Sequence, residues 1–181
     1  MADQDHKKPE SLKRQLEIAR FERGLEIVEG MADRRLLLTT AELARINNIL
    51  MGKHTDHDPW RKGAVTVTLP TGHVETLALL ADPVQDARVH LHRATEMAEN
   101  GNIIEGAVDI YANCVLSHYF EDANRRTAVL AAHYFLKRYG IPVPGLALHE
   151  LGLGNVREPE QIEALKETIR QMAKFAGKKK K

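Results

Sequence analysis

A helical segment that is apolar on nearly every side constrains the fold of this chain most. Residues 127–139 contain Ala128-Val129-Leu130-Ala131-Ala132 and Tyr134-Phe135-Leu136, and Gly140 and Pro142 follow as helix stops. A helix with apolar side chains all round has to be surrounded by other elements. The sequence therefore predicts an all-α bundle with this helix at its centre.

Periodic apolar residues and capping signals predict five further helices around it. The first runs from about Ser11 to Val28 and ends near Gly30, and the second follows the capping box Thr39–Glu42. The third starts at Pro83 after the N-cap Asp82 and runs to about Asn100. The last two run from Ile103 to Ser117 and from Glu158 onward. In the first helix the predicted apolar stripe contains Leu12, Leu16 and Ala19 and is extended by Ile18, Phe21 and Leu25.

One stretch changes period and predicts a β-hairpin. Val65–Leu69 and Val74–Leu77 alternate apolar and polar residues, and Pro70-Thr71-Gly72 separates them. A lone hairpin is only marginally stable, so it must lie against the helices or serve as an interaction flap.

Composition limits the classes of function. The chain has 181 residues, a net charge of +1 and 43% hydrophobic residues, which indicates one globular domain and does not favour a nucleic-acid or membrane partner. Cys114 is the single cysteine, so no intrachain disulfide is possible; a cytoplasmic location and a buried Cys114 are expected. The histidines show no ligand spacing typical of structural zinc, and Lys178–Lys181 is interpreted as a solvated basic tail.

The stretch from His118 to Arg126 concentrates polar chemistry between two apolar helices. Asn124 is expected to cap the second helix, and the amides after it would form a phosphate cradle with Arg125 and Arg126. Asp122 is a hard oxygen ligand suited to Mg²⁺, and His118 is a base whose ordinary pKa lies near neutrality. Together these groups indicate transfer from a nucleotide polyphosphate.

A plainer interpretation stays open for these residues. His118 would then be a helix-end histidine satisfied by the backbone, and Asp122, Arg125 and Arg126 would form a cluster of salt bridges. In either interpretation Phe120 is expected to anchor the loop in the core.

The same stretch resembles the signature of the Fic/Doc family: His, any, Phe, any, Asp/Glu, Gly/Ala, Asn, Gly/Lys, Arg. The match comprises His118, Phe120, Asp122, Ala123, Asn124 and Arg126. The resemblance covers roughly residues 36–145 and implies a helical bundle with a hairpin flap. It assigns residues 1–35 to an N-terminal helical extension, 36–177 to the Fic/Doc domain and 178–181 to the tail.

The resemblance also implies roles for individual residues. His118 would be the general base, Asp122 the Mg²⁺ ligand, and the nucleotide-binding segment would comprise Ala123, Asn124, Arg125 and Arg126. The flap would hold a target segment through Val65, Val67, Val74 and Thr76. Family members usually move AMP from ATP to a protein hydroxyl.

Two departures from the common AMP-transferring pattern keep alternatives open. Arg125 replaces a glycine, and Val129 replaces a second arginine. Ala123–Ala128 is closer to the Doc-type sequence, whose members transfer a phosphoryl group. A catalytically weak member that binds nucleotide or a partner as a regulator is a third possibility.

Glu29 followed by Gly30 resembles the inhibitory motif that some family members carry on an N-terminal helix, although Leu25 replaces its Ser/Thr. The alternative is an ordinary helix end with Gly30 as C-cap. The target protein, an antitoxin partner and a homo-oligomeric state are left open by the sequence.

Overall fold

The computed structural model describes residues 9–69, 71–150 and 155–178, and within these ranges it contains seven α-helices and one two-stranded antiparallel sheet. The elements are α1 (Pro9–Asp33), α2 (Thr40–Met51), β1 (Val65–Thr68), β2 (Val74–Leu77), α3 (Pro83–Glu99), α4 (Ile103–Ser117), α5 (Asn124–Arg138), α6 (Gly145–Glu150) and α7 (Pro159–Lys178). The predicted all-α bundle with a small hairpin is confirmed. Residues 1–8 of the extension, Pro70 of the hairpin turn and residues 179–181 of the tail lie outside the described ranges.

The apolar central helix is confirmed in its predicted position. Helix α5 packs against α1, α2, α4 and α6, and all residues from Thr127 to Leu136 are buried. Cys114 on α4 is also buried, as expected, and burial raises the pKa of its thiol to about 12. No helix in the described part of the chain is long and apolar enough to cross a membrane.

The prediction for α1 was right for Phe21, which is buried, and wrong for the first part of the apolar stripe and for the end of the helix. Leu12 and Leu16 are exposed, and the buried face is formed farther along by Phe21, Val28, Met31 and Ala32. The helix approaches α5 so closely at Gly24 that an added Cβ would lie 2.7 Å from Leu130 Cδ1. Because α1 is buried mainly in its second half, the first residues of the predicted stripe are exposed: Leu12, Leu16, Ile18 and Ala19.

Helix α1 also continues through Gly30 to Asp33, so Gly30 is not its C-cap. The residue in the left-handed region that follows the helix is Arg35, with φ 54°. The next amide, of Leu36, donates to Met31 O at 2.9 Å, which closes the last turn.

The capping signals and the hairpin agree with the sequence. Glu42 N donates to Thr39 Oγ1 at 3.3 Å, and Gln85 N donates to Asp82 Oδ1 at 2.9 Å. In the hairpin, Val65 pairs with Leu77 and Val67 with Glu75. Cross-strand partners share a face, so these four residues form the half-buried inner face of the sheet. The short helix α6 was not predicted.

Candidate functional site

His118 follows α4 and is fixed by a contact back to the last turn of that helix. It is the C-cap residue, with φ 47° and ψ 62° in the left-handed region. Its Nδ1 lies 2.7 Å from Val115 O, and this contact requires a proton on Nδ1 because a carbonyl only accepts. In the neutral ring Nε2 is then the basic nitrogen left for a substrate. Burial lowers the pKa of His118, and the backbone bond to Val115 partly opposes this.

The loop after His118 is held by a second chain segment. Arg61 N donates to Tyr119 O at 3.0 Å and Glu121 N donates to Pro59 O at 3.1 Å, an isolated antiparallel bridge around Phe120. The Phe120 ring is buried and packs on Trp60 with ring centroids 4.7 Å apart. The expected role of Phe120 as the anchor of the loop is confirmed.

The expectation for Asn124 was wrong, because this residue does not cap α5. The N-cap is Ala123, which has φ 58°, and the helix starts at Asn124 rather than at Thr127. The Asn124 side chain turns back into the loop, where it accepts from Phe120 N and donates to Phe120 O, both at 2.9 Å. The amide therefore fixes the shape of the loop and is almost completely buried.

A buried asparagine from α2 holds the loop from the other side. Asn47 Nδ2 donates to Asp122 O at 2.8 Å and to Thr127 Oγ1 at 3.0 Å. These bonds join the end of the loop to the first turn of α5. The signature gives no indication of Asn47, although an amide between apolar helix positions 46 and 49 is a signal for a buried polar role.

Arg61 fixes the hairpin relative to His118. Its guanidinium is buried and donates to Ala78 O at 2.7 Å, at the hairpin base, and to Ser117 O at 3.1 Å, next to His118. It also reaches Gly63 O at 2.9 Å. A lone arginine in a loop carries no sequence signal for this role.

A cavity of about 420 Å³, here called the motif cavity, lies between the start of the hairpin and the start of α5. Its lining includes Val65, His118, Asp122, Ala123, Arg125 and Arg126. The predicted base, acid and cations are thus brought together. No ion pair joins Asp122 to either arginine among the described residues, which disagrees with a salt-bridge cluster. Asp122 Oδ1 instead accepts from Ala123 N.

A second cavity of about 440 Å³, here called the hairpin cavity, lies farther along the hairpin. Its lining includes Val67, Tyr111, His118, Arg125, Asn155 and Arg157. His118 and Arg125 line both cavities, so the two spaces meet at these residues. Burial raises the pKa of Tyr111, and the nearby charge of Arg125 opposes this shift.

The predicted flap residues divide between the two faces of the hairpin. Val65 lines the motif cavity and Val67 the hairpin cavity. Val74 and Thr76 lie on the opposite, exposed face. In this register Leu77 pairs with Val65 and Glu75 pairs with Val67, so these four residues share one face. Val74 and Thr76 alternate with them and therefore lie on the other face.

Glu29 does not lie at the predicted phosphate cradle. Its Oε1 is 2.9 Å from Nε2 of the buried His133, and His133 is about two helical turns along α5 from Arg126. Helices α1 and α5 run side by side in the same direction, with Gly24 at Leu130 and Glu29 at His133. An earlier part of α1 therefore lies nearest the cradle.

Another histidine that the signature does not predict lies on this side of the cradle. His149 of α6 stacks on Phe21, with ring centroids 4.2 Å apart. Its pKa is lowered by burial and by the positive charges of Arg126 and Arg125. Its position depends on how α6 packs on α1, so the sequence gives no local signal for it.

The described residues contain no cluster of three or more His, Cys, Asp or Glu side chains arranged for a metal ion. Two carboxylates, Glu121 and Asp122, line the motif cavity, and a cation there would depend on them together with oxygens from a ligand and water. This donor set suits Mg²⁺, which usually binds one or two carboxylates and substrate phosphates.

Comparisons with known proteins agree with this geometry. The sequence model of the Fic/DOC family matches residues 37–136, more than half of the chain. The solved structure of a Fic domain containing signaling protein from Bacteroides thetaiotaomicron is similar, with a TM-score of 0.65 and 20% identity over 91% of this chain and 72% of that chain. At this identity the structural likeness shows the fold alone. No curated protein matches the chain. The family match, which includes the signature from His118 to Arg126, shows that this chain belongs to the Fic/DOC family.

Proposed function

We propose that the protein transfers AMP from ATP to a hydroxyl side chain of a target protein, with His118 as the general base. One observation carries the proposal: His118 presents Nε2 where the two cavities meet, because Nδ1 is held by Val115 O at 2.7 Å. The lowered pKa of His118 keeps the ring neutral near pH 7, which is the form that accepts a proton.

In the proposed reaction the target hydroxyl oxygen attacks the α-phosphorus of ATP. A P–O bond forms to the target, the bond to pyrophosphate breaks, and His118 Nε2 takes the hydroxyl proton. The chain contributes positioning and charge stabilisation, as is usual in phosphoryl and nucleotidyl transfer.

The phosphates are proposed to bind at the start of α5. Free backbone amides and partial positive charge at a helix N-terminus attract anions. Arg126 adds a guanidinium from the wall of the motif cavity. Asn124, bonded to the Phe120 backbone, contributes by holding these amides in place.

The Asp122 carboxylate is proposed to hold Mg²⁺. One oxygen accepts from Ala123 N, which fixes the direction of the group toward the motif cavity. The ion would neutralise phosphate charge when nucleotide is bound. The inner face of the hairpin, with Val65 and Val67, is proposed to position the target segment beside His118.

Phosphoryl transfer is the second candidate, and Arg125 favours it. A glycine at this position would let phosphates approach the backbone. The long cation instead lines both cavities and lies near Tyr111. It therefore occupies space between the cavities and can redirect which phosphate faces the target.

Labelled ATP separates these candidates. The protein is incubated with a cell lysate and ATP labelled at either the α or the γ phosphate. Protein label from the α position supports AMP transfer, and label from the γ position alone supports phosphoryl transfer. Arg125→Gly should change the ratio of the two labels or raise AMP transfer.

His118→Ala should lower labelling by on the order of 10²-fold. The matched control is His92→Ala, which removes an exposed histidine on α3. Wild-type labelling by His118→Ala would contradict the proposed base. Nucleotide binding without label at either position would indicate a catalytically weak regulator.

A further inference from the structure

The hairpin cavity combines apolar walls with two guanidinium groups. Val67 and Leu77 come from the hairpin, whereas Arg125 and Arg157 contribute positive charge. No acidic side chain is among the described residues that line it. Ligand cavities are commonly of this size and mostly apolar, with a few charged groups that orient the ligand. This cavity therefore suits a ligand with an apolar portion and an anionic portion.

Arg157 reaches the cavity from outside the part of the chain that the family model matches. It lies just before α7, whereas the match ends at residue 136. A local turn presents it: Arg157 N donates to Asn155 Oδ1 at 3.1 Å, and Glu158 N donates to Asn155 O at 3.0 Å. The positive charge of Arg157 contributes to the lowered pKa of His118, so it acts on the centre of the site.

The partner of Arg157 in this structure is a carboxylate on the inner face of the hairpin. Arg157 Nη1 forms an ion pair with Glu75 Oε2, and both side chains are about one-third exposed. Water weakens an ion pair at such a position. A polyphosphate carries several charges and accepts two parallel N–H bonds from one guanidinium. It is therefore a stronger partner for Arg157 than Glu75 is.

We propose that Arg157 is a nucleotide-binding residue that exchanges Glu75 for phosphate oxygens when ATP extends from the motif cavity into the hairpin cavity past Arg125, which lines both. This inference rests on the proposed function, because it requires ATP as the ligand. It adds a contact from the segment before α7 to those made by Arg125 and Arg126.

Removing the positive and the negative member of this ion pair should change ATP affinity in opposite directions, and this difference provides the test. ATP affinity is measured by calorimetry with Mg²⁺ for the wild type, Arg157→Ala and Glu75→Gln. Arg157→Ala should weaken binding by on the order of tenfold, as for the loss of one charge-assisted contact. Glu75→Gln should tighten binding several-fold, because it frees the guanidinium. Adenosine, which lacks phosphate, should bind both variants like the wild type.

The control is Arg93→Ala, which breaks the exposed ion pair of Arg93 with Asp109 at 2.7 Å, between α3 and α4. This variant should bind ATP like the wild type. Weaker binding in both Arg157→Ala and Glu75→Gln would show that the pair only ties the hairpin to the segment before α7, and would overturn the inference. Unchanged binding in Arg157→Ala would also overturn it.

Arg126→Ala separates this inference from the proposed function. If Arg126→Ala weakens ATP binding while Arg157→Ala does not, the proposed function stands and the inference fails. If the wild type does not bind ATP, or Arg126→Ala binds it equally well, the proposed nucleotide site is wrong and the role of Arg157 is wrong with it.

Discussion

Asn47→Ala should lower activity because it releases the loop that contains the signature, and Asn48→Ala provides a matched control. Both amides are buried on α2. Asn47 Nδ2 bonds Asp122 O at 2.8 Å and Thr127 Oγ1 at 3.0 Å. Asn48 Nδ2 also donates to two acceptors, His57 O at 2.8 Å and Thr55 O at 3.4 Å, in the loop after α2. The two substitutions therefore remove similar bonds, but only one of them holds the loop that contains the signature.

The expected cost in stability is similar for the two variants. A buried acceptor left without its donor costs about 1–3 kcal/mol. Because Asn47 serves two acceptors, its loss should lower the free energy of unfolding by roughly 2–4 kcal/mol. In a chain of this size each kcal/mol changes Tm by about 2–4 °C, so a decrease of roughly 5–15 °C is expected. Urea unfolding followed by circular dichroism measures both variants.

The expected effect on the site differs between them. Without Asn47 the end of the loop can move relative to α5, and a displacement of about 1 Å can cost on the order of 10²-fold in rate. Asn47→Ala should therefore lower ATP labelling by roughly 10- to 100-fold at a temperature where both variants are folded. Asn48→Ala should label like the wild type. Equal losses in the two variants would refute the specific role of Asn47.

Three further predictions concern other parts of the molecule. Because the pKa of His118 is lowered from its ordinary value of 6.5, labelling should fall as the pH drops through a midpoint below 6.5; a midpoint above 6.5 in the pH–rate profile would contradict this. Gly106→Ala should lower the free energy of unfolding by about 1–3 kcal/mol, since its Cβ would lie 2.7 Å from a backbone oxygen of α3, whereas Gly177→Ala meets no atom within 4 Å and should unfold at the same or higher urea concentration. Glu29→Gly tests the inhibitory role that the sequence predicts: increased self-labelling with ATP would support it, whereas lower stability with unchanged labelling would assign Glu29 to its contact with His133.

The sequence determined the central helix, the hairpin and the chemical character of the site because these depend on local patterns. The apolar run from Thr127 to Leu136 allows no exposed side, so its burial followed from composition. Thr39 and Asp82 cap their helices by accepting hydrogen bonds from amides three positions farther along, which lie within a short sequence motif. The signature from His118 to Arg126 likewise lies in one short stretch.

The tertiary structure decided which groups complete the site. Asn47 and Arg61 act on the loop and hairpin through contacts with residues at least 16 positions away, and Glu75 meets Arg157 across 82 positions. Asn124 is a strong N-cap type, yet its amide bonds the Phe120 backbone because Ala123 adopts the left-handed conformation. The packing of α1 along α5 determines that Leu12 and Leu16 are exposed and that Glu29 contacts His133. Periodicity identifies an apolar stripe, but only the neighbouring helix determines which part of it is buried.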